Sequence, residues 1–340
     1  MSGYGGLVNM GLTCYANAVI QCLRHCEKMP WIFEKGRFDT LFKKEPKPAR
    51  AAKQALTTSF AEVIQMLQTC KKGQSVRPAD LWKNLPAAVR DSCFEQFAHK
   101  QCHDAHEFFL FLLDVVHEAM AQEVDMTIMT KATTEKESRV VQALNVWKRE
   151  FSNLYSPMVD LFYGLMHVRV ECQACKNTTH RWETFTSLKA AVPATATEPP
   201  TLGEMLAEEL KPELIEGYDC EPCKAKTVAK KSLSIWRMPQ TMVVCLKRFS
   251  YTGQKIQTKI AAIGPTDFGA HFSDESPEKS KTYGLRAIVD HHGSSGGGHY
   301  TAQCRHTETD TWVLYDDEGV RELAEPFFGH STYMLFFRRV

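Results

Sequence analysis

The 340-residue chain lacks any apolar run approaching the roughly 18 residues that a membrane-spanning helix needs. Its first residues are polar and glycine-rich, unlike a secretory signal, so entry into the secretory route is not expected. An excess of either charge is also missing: 41 basic and 40 acidic residues leave a formal charge of +1. That balance gives no general attraction for nucleic acid or for an anionic membrane surface. No internal repeat is visible, so a solenoid or propeller is not indicated. What is present, 44% hydrophobic and 24% charged residues, is typical of a soluble globular protein with a sizeable core. The length suits two ordinary domains or one large elaborated one.

Cysteine is not scarce. Of the twelve, four form two Cys-x-x-Cys pairs and the rest are scattered among apolar residues. In a reducing compartment this pattern suggests a metal site, a candidate nucleophile and several buried thiols, not a disulfide framework. Cytoplasm or nucleus is the expected location, with nothing in the sequence to choose between them.

The stretch from Gly6 to Leu23 reads as a glycine-punctuated turn that delivers Cys14 to the start of a helix. Ala18, Val19, Cys22, Leu23 and Cys26 follow at helical spacing without Gly or Pro. A thiol at a helix N-terminus faces unpaired backbone N–H groups and the positive end of the macrodipole, and both favour the thiolate. Asn9 could fold back and offer its amide to an oxyanion forming beside the sulfur. A lone cysteine at a helix start is far more often structural, so a base and an orienter must come from elsewhere.

Taken in order, residues 30–48 are broken and basic. Leu56, Phe60, Val63, Ile64 and Leu67 share one helix face, and Pro78 suits the first turn of another. The spacing predicts helix up to about Met120. Within it, Asp104 can cap a helix while Glu107 reaches back, or the two carboxylates can face a basic substrate tail. Cys102, His103 and His106 are close enough in sequence to suggest a metal, without a fourth ligand nearby. Residues 125–150 read as a polar surface insertion with some helix near its end. Strands are expected at 165–171, 179–188, 227–237 and 241–249, then at 283–290, 299–304, 311–315 and 332–337. Between these groups, 194–200 is a linker-like break, and Thr201 with Glu204 forms a capping box for a helix over 202–210. Helices first and sheet later indicate an α+β protein in two packed lobes.

Cys172-x-x-Cys175 and Cys220-x-x-Cys223 are paired knuckles, and four thiolates complete a tetrahedral zinc site. Four protein ligands leave no place for water, so this zinc is structural, and the nucleophile must carry any chemistry.

Near the C-terminus a glycine-rich loop, Gly293 to Gly298, feeds a strand that opens on His299. His299 is the best candidate base, with His291 and His292 as competitors on the far side of the loop. One hairpin later, Asp316 ends a strand and can fix the tautomer of His299, while Asp317 is either a helper at the oxyanion or a turn residue.

Together these stretches resemble the ubiquitin-specific proteases, papain-like cysteine deubiquitinases. The resemblance covers nearly the whole chain in the family's order. It runs through the cysteine box Gly6 to Leu23, the acidic helix start Asp104 to Phe108 and the two Cys-x-x-Cys pairs. Residues 213–220, Leu246-Lys247-Arg248-Phe249, Gly298-His299-Tyr300-Thr301, 312–317 and 333–337 complete it. It implies a single catalytic domain over 1–340, with a helical thumb at 1–155 and a palm with zinc-pinned β-strand fingers at 156–340. Cys14 would be the nucleophile, His299 the base, Asp316 the third member, and Asn9 with the Cys14 backbone N–H the oxyanion hole. Asp104 and Glu107 would meet the basic tail of ubiquitin, in a channel lined by Gly298 and Tyr300 under a blocking loop. The implied partners are ubiquitin and ubiquitinated proteins, with the enzyme a monomer. The alternatives are a protease for another ubiquitin-like modifier and a weakly active ubiquitin-binding scaffold. Three departures from the family pattern stand out: Cys102-His103 in place of Gln-Gln, Leu12 in place of Asn, and a loose match over residues 259–265.

Overall fold

The computed structural model describes residues 3–26, 28–41, 50–129, 131–250, 252–294 and 296–340. The first half is helical, as the spacing predicts. Helix α1 (Cys14–Arg24) is buried along its whole length, which explains why its apolar and polar residues alternate without a solvent face. Short α2 (Lys28–Ile32) and α3 (Arg37–Leu41) occupy part of the segment expected to be broken. The remainder of that segment, 42–49, lies outside the described residues. Helix α6 (Ala105–Met120) packs on α1, and α4 (Ala51–Thr69) packs on α6 and on α5 (Ala79–Val89). Pro78 stands at the N-cap of α5, one residue ahead of the expected first turn.

The insertion at 125–150 is more ordered than its polarity suggests. Helix α7 (Glu135–Phe151) opens with a complete capping box between Thr134 and Glu137. It buries Ala143, Trp147 and Phe151, four residues apart, against Leu165, Trp182 and Trp236. A three-position apolar stripe is enough to seat a helix whose other faces are charged. Helix α8 (Pro157–Phe162) then leads into the sheets.

A two-stranded parallel pair, β1 (Gly6–Leu7) and β2 (Ser75–Val76), ties the cysteine segment to the start of α5. Strands β3 (Gly164–Cys172) and β4 (Thr178–Phe185) form one long antiparallel hairpin. Strand β5 (Leu188–Ala191) follows after two residues and belongs to a different sheet. The single strand expected over 179–188 is thus divided between two sheets. After α9 (Leu202–Glu209), β6 (Glu213–Cys220) and β7 (Ala225–Arg237) make a second hairpin. Together they give the four-stranded sheet β4-β3-β7-β6.

The larger sheet joins β5 and β8 (Thr241–Lys247) to β9 (Thr266–Asp267), β10 (Thr282–Ser294), β11 (Gly297–Arg305), β12 (Trp312–Asp316), β13 (Gly319–Leu323) and β14 (Thr332–Arg339). Its main order is β13-β12-β11-β10-β14-β8-β5, with β9 on β10. Alternation places Val243, Cys245, Ala287, Val289 and Phe336 against the helices, and Val244, Leu246, Ile288, Leu335 and Phe337 against α9 on the other face. With both faces covered, the sheet is a rigid floor for α1. The chain has the α+β, papain-like architecture expected from the sequence.

Two long-range anchors complete the frame. Arg248 is buried and donates to the carbonyls of Thr332, Ile256, Thr258 and Gly329. Asp290 is buried on β10, where it accepts from Gln303 and Ser331.

Candidate active site

Cys14 reaches the helix start through a tight turn in which Gly11 (φ +101°) and Leu12 (φ +58°) both adopt left-handed backbone. Asn9 Oδ1 organises this turn by accepting from the backbone N–H groups of Gly11 (2.9 Å) and Thr13 (3.2 Å). The sulfur is buried, and the backbone N–H of Tyr300 points at it, as does that of Tyr15. Burial nevertheless pushes the Cys14 thiol up, with those two N–H groups opposing and the Asp317 charge adding to the rise. This corrects the simple expectation from the helix start: desolvation outweighs the N–H groups, and the thiol needs a base.

A candidate base lies one peptide away. Because Tyr300 donates to the sulfur, the peptide joining His299 to Tyr300 lies against Cys14. His299 Nε2 is 2.5 Å from Asp316 Oδ1. Asp316 ends β12 and pairs with Gly319 across the turn to β13, so its carboxylate is fixed by the sheet. An Nε2–H donated to Asp316 leaves Nδ1 bare and basic. Of the two competitors, His292 pairs with His299 across the β10–β11 hairpin, and the ring of His291 lies among Phe249, Tyr300 and Tyr333. Burial lowers both below the ordinary histidine range.

Asp317 turns out to be more than a turn residue. Asn9 Nδ2 donates to its Oδ2 (2.8 Å) and Asn17 Nδ2 to its Oδ1 (2.7 Å), while its main-chain carbonyl accepts from Leu7 N (2.8 Å). Asn17, one turn beyond Cys14 on α1, was not singled out from the sequence. The available signal was an asparagine one turn past the cysteine, among the apolar residues Ala16, Ala18, Val19 and Ile20.

A cavity of about 210 Å³ is lined by Cys102, His103, Asp104, Phe249, His291, Ser294, Tyr300 and glycines 296–298. The capping foreseen for Asp104 is observed. Its Oδ1 caps α6 through His106 N and Glu107 N, and its Oδ2, which accepts from Tyr333 (2.6 Å), belongs to the cavity wall. Glu107 is exposed and does not reach back to close a capping box. The expected glycine-rich loop is shorter than it reads, because the β10–β11 ladder continues to Ser294↔Gly297; Ser295 lies outside the described residues. A Cβ on Gly298 would approach His291 Nε2 and the His292 carbonyl to 2.4 Å, so only glycine fits there. His103 and His106 turn to the His99 carbonyl and the Ser187 hydroxyl, and among the described residues they join no metal-binding cluster with Cys102.

At the far ends of the two hairpins of the smaller sheet, Cys172, Cys175, Cys220 and Cys223 bring their sulfurs within 4.8 Å of one another. Lys176 and Lys224, one residue past each pair, adopt left-handed backbone (φ 61° and 52°) and donate to the Cys172 and Cys220 carbonyls. The backbone N–H of Cys175 and the Thr227 hydroxyl pull the Cys172 thiol down to about 6, while its sulfur neighbours push Cys223 up to about 12. Four sulfurs with the first thiolate this accessible fit a divalent, thiophilic cation.

A sequence model of the ubiquitin carboxyl-terminal hydrolases matches residues 5–337. The chain belongs to that family. It is 26% identical over 366 residues to ubiquitin carboxyl-terminal hydrolase 4 of Eremothecium gossypii, covering 98% of this chain and 42% of the relative. Similarity to Usp2 of Drosophila melanogaster is 28% over 347 residues, covering 99% and 35%. The chain thus spans about two fifths of the length of these curated relatives. Among solved structures, a chain of the SAGA DUB module Ubp8/Sgf11/Sus1/Sgf73 bound to monoubiquitin has the same fold, with a TM-score of 0.76 at 21% identity. That likeness covers all of this chain and 70% of the other.

Proposed function

We propose that this chain is a thiol-dependent deubiquitinase, cleaving the isopeptide or peptide bond after the C-terminal glycine of ubiquitin. The observation that carries this reading is the meeting of Cys14, the His299–Asp316 pair and the Asn9–Asp317 pair beside a glycine-walled cavity. Family membership supports it, as does the monoubiquitin carried by the similar solved chain.

His299 Nδ1 takes the Cys14 proton, Asp316 holds the resulting imidazolium, and the thiolate attacks the carbonyl of the terminal glycine. Asn9 Nδ2, with one hydrogen on Asp317, turns the other toward the forming oxyanion, together with the Cys14 backbone N–H. His299 returns the proton to the leaving lysine amine. Water, deprotonated by His299, then hydrolyses the thioester. Asp104 and Glu107 meet the basic tail of ubiquitin, and Gly298 and Tyr300 bound a channel that passes only a backbone without side chains.

Cys172, Cys175, Cys220 and Cys223 would hold a structural zinc, which cross-links the hairpin tips and takes no part in bond cleavage. The whole chain then acts as one catalytic unit, thumb at 1–155 and palm with fingers at 156–340, as a monomer on ubiquitinated proteins. The unpaired state of all twelve cysteines supports a reducing compartment, cytoplasm or nucleus. The test is hydrolysis of a ubiquitin C-terminal amide reporter, which Cys14→Ala should abolish. Full activity in Cys14→Ala would sink the assignment, and labelling by an electrophilic ubiquitin-like probe in preference to ubiquitin would redirect it to another modifier.

A further inference from the structure

The cavity beside Cys14 has one wall whose chemistry the steps above leave unused. His291 is 3% exposed, yet among the described residues its Nδ1 has no hydrogen-bond partner. Its ring lies 4.6 Å from that of Tyr300 and 5.6 Å from that of Phe249, centroid to centroid, and borders the cavity with Asp104 and the glycines of the hairpin. Its Nε2 faces Gly298 so closely that a Cβ there would come within 2.4 Å. Holding a polar ring in such a place, its hydrogen bonding unspent, costs stability that packing alone does not explain.

The tautomer follows from burial. A ring with Nδ1 bare and the proton on Nε2 avoids burying an unpaired N–H beside Phe249 and Tyr300. The ring is neutral: burial, then the Lys255 ammonium, hold it down to about 4, against the pull of Asp104. An extended peptide presents N–H and C=O groups alternately along each edge. Asp104 offers acceptors to the cavity, and His291 offers a donor.

We propose that His291 is a substrate-contacting residue, its Nε2–H donating to a backbone carbonyl of the extended tail and fixing the tail's register against Cys14. This rests on the reading of the cavity as the tail channel. Gly298 then has two tasks, clearing space for the tail and letting the His291 ring approach the hairpin.

The experiment compares His291→Phe, which keeps the aromatic packing and loses the donor, with His291→Gln, whose side-chain N–H₂ reaches a similar point. On the ubiquitin C-terminal amide reporter, His291→Phe should raise KM about tenfold, one neutral hydrogen bond, with kcat moved far less. His291→Gln should restore KM to within about threefold of wild type. Equal KM in the two variants, or no change in either, would overturn the inference while an active wild type kept the site reading intact. An inert wild type would instead fail the site reading. Should either variant not fold, ring ¹⁵N spectra of Cys14→Ala settle the matter. The Nε2-protonated tautomer, with its proton shifted downfield on adding ubiquitin, supports the inference. The Nδ1 tautomer, or no shift, overturns it.

Discussion

Asn9 and Asp317, 308 positions apart in sequence, are joined by a 2.8 Å hydrogen bond from the amide to the carboxylate. Asp317 grips Asn17 with its other oxygen, so one carboxylate links the turn before Cys14, the helix after it and the strand end carrying Asp316.

Asn9→Ala is expected to lower kcat on a ubiquitin reporter by about 10²–10³, the loss typical of one oxyanion donor. Asp317→Ala should approach the same loss, because an unheld Asn9 amide no longer aims its free hydrogen. If the two act through one donor, the double variant should be no worse than Asn9→Ala alone, and full additivity would separate their roles.

Leu12 holds a left-handed backbone while its side chain is 51% exposed. Asparagine tolerates that conformation far better. Leu12→Asn should therefore stabilise the protein by roughly 1 kcal/mol, read as a higher denaturation midpoint at unchanged m-value.

Acid should destabilise the fold between pH 6.5 and about 4. Burial holds His117, His167 and His291 down to about 4, so over that window the unfolded chain binds protons that the native state does not. Stability consequently rises with pH through the window and is lost as pH falls. Asp290 works the other way, because burial raises it to about 6 and its protonation favours the native state on acidification. Burial also raises Asp114, but it lowers His25, His106, His180, His271 and His292 too, so the histidines outnumber the two carboxylates and acid destabilisation is the net result. Urea midpoints rising with pH from 4.5 to 6.5 would agree; flat midpoints would not.

Stripping metal with a strong chelator should release one ion per chain and loosen the hairpin tips. Cys220→Ser should do the same without chelator, lowering both metal content and the apparent melting temperature. Cleavage of intact ubiquitin conjugates should fall more than labelling by a short tail-peptide electrophile, since the tips lie away from Cys14. Equal losses on both substrates would argue against a gripping role for this sheet.

The positions of Cys14 and Asp316 were legible in the sequence because each sits at an element boundary that local chemistry announces, a helix start after a glycine turn and a strand end; His299, read as a strand start, lies two residues inside β11, because the ladder runs on to Gly297. The four cysteines were legible from their spacing. Helix α7 was hidden by its charged faces, although Thr134, Glu137 and the stripe Ala143, Trp147 and Phe151 were all present to be read. The division of 179–188 between two sheets was not legible, since strand propensity carries no information about which neighbour a strand will find. The raised Cys14 thiol was equally out of reach, because α1 is buried against β11 and the added charge comes from Asp317, both hundreds of residues away.

That division of strands has a mechanical consequence. The chain leaves the β3–β4 hairpin at Phe185 and enters the larger sheet at Leu188, and within this two-residue span the Ser187 hydroxyl is 2.8 Å from His106 Nε2 on the first turn of α6. The hairpin is a lever whose fulcrum is bolted two residues from Asp104. The same hydrogen bond ties the hairpin that carries Cys172 and Cys175 at its tip to the helix whose cap, Asp104, lines the cavity.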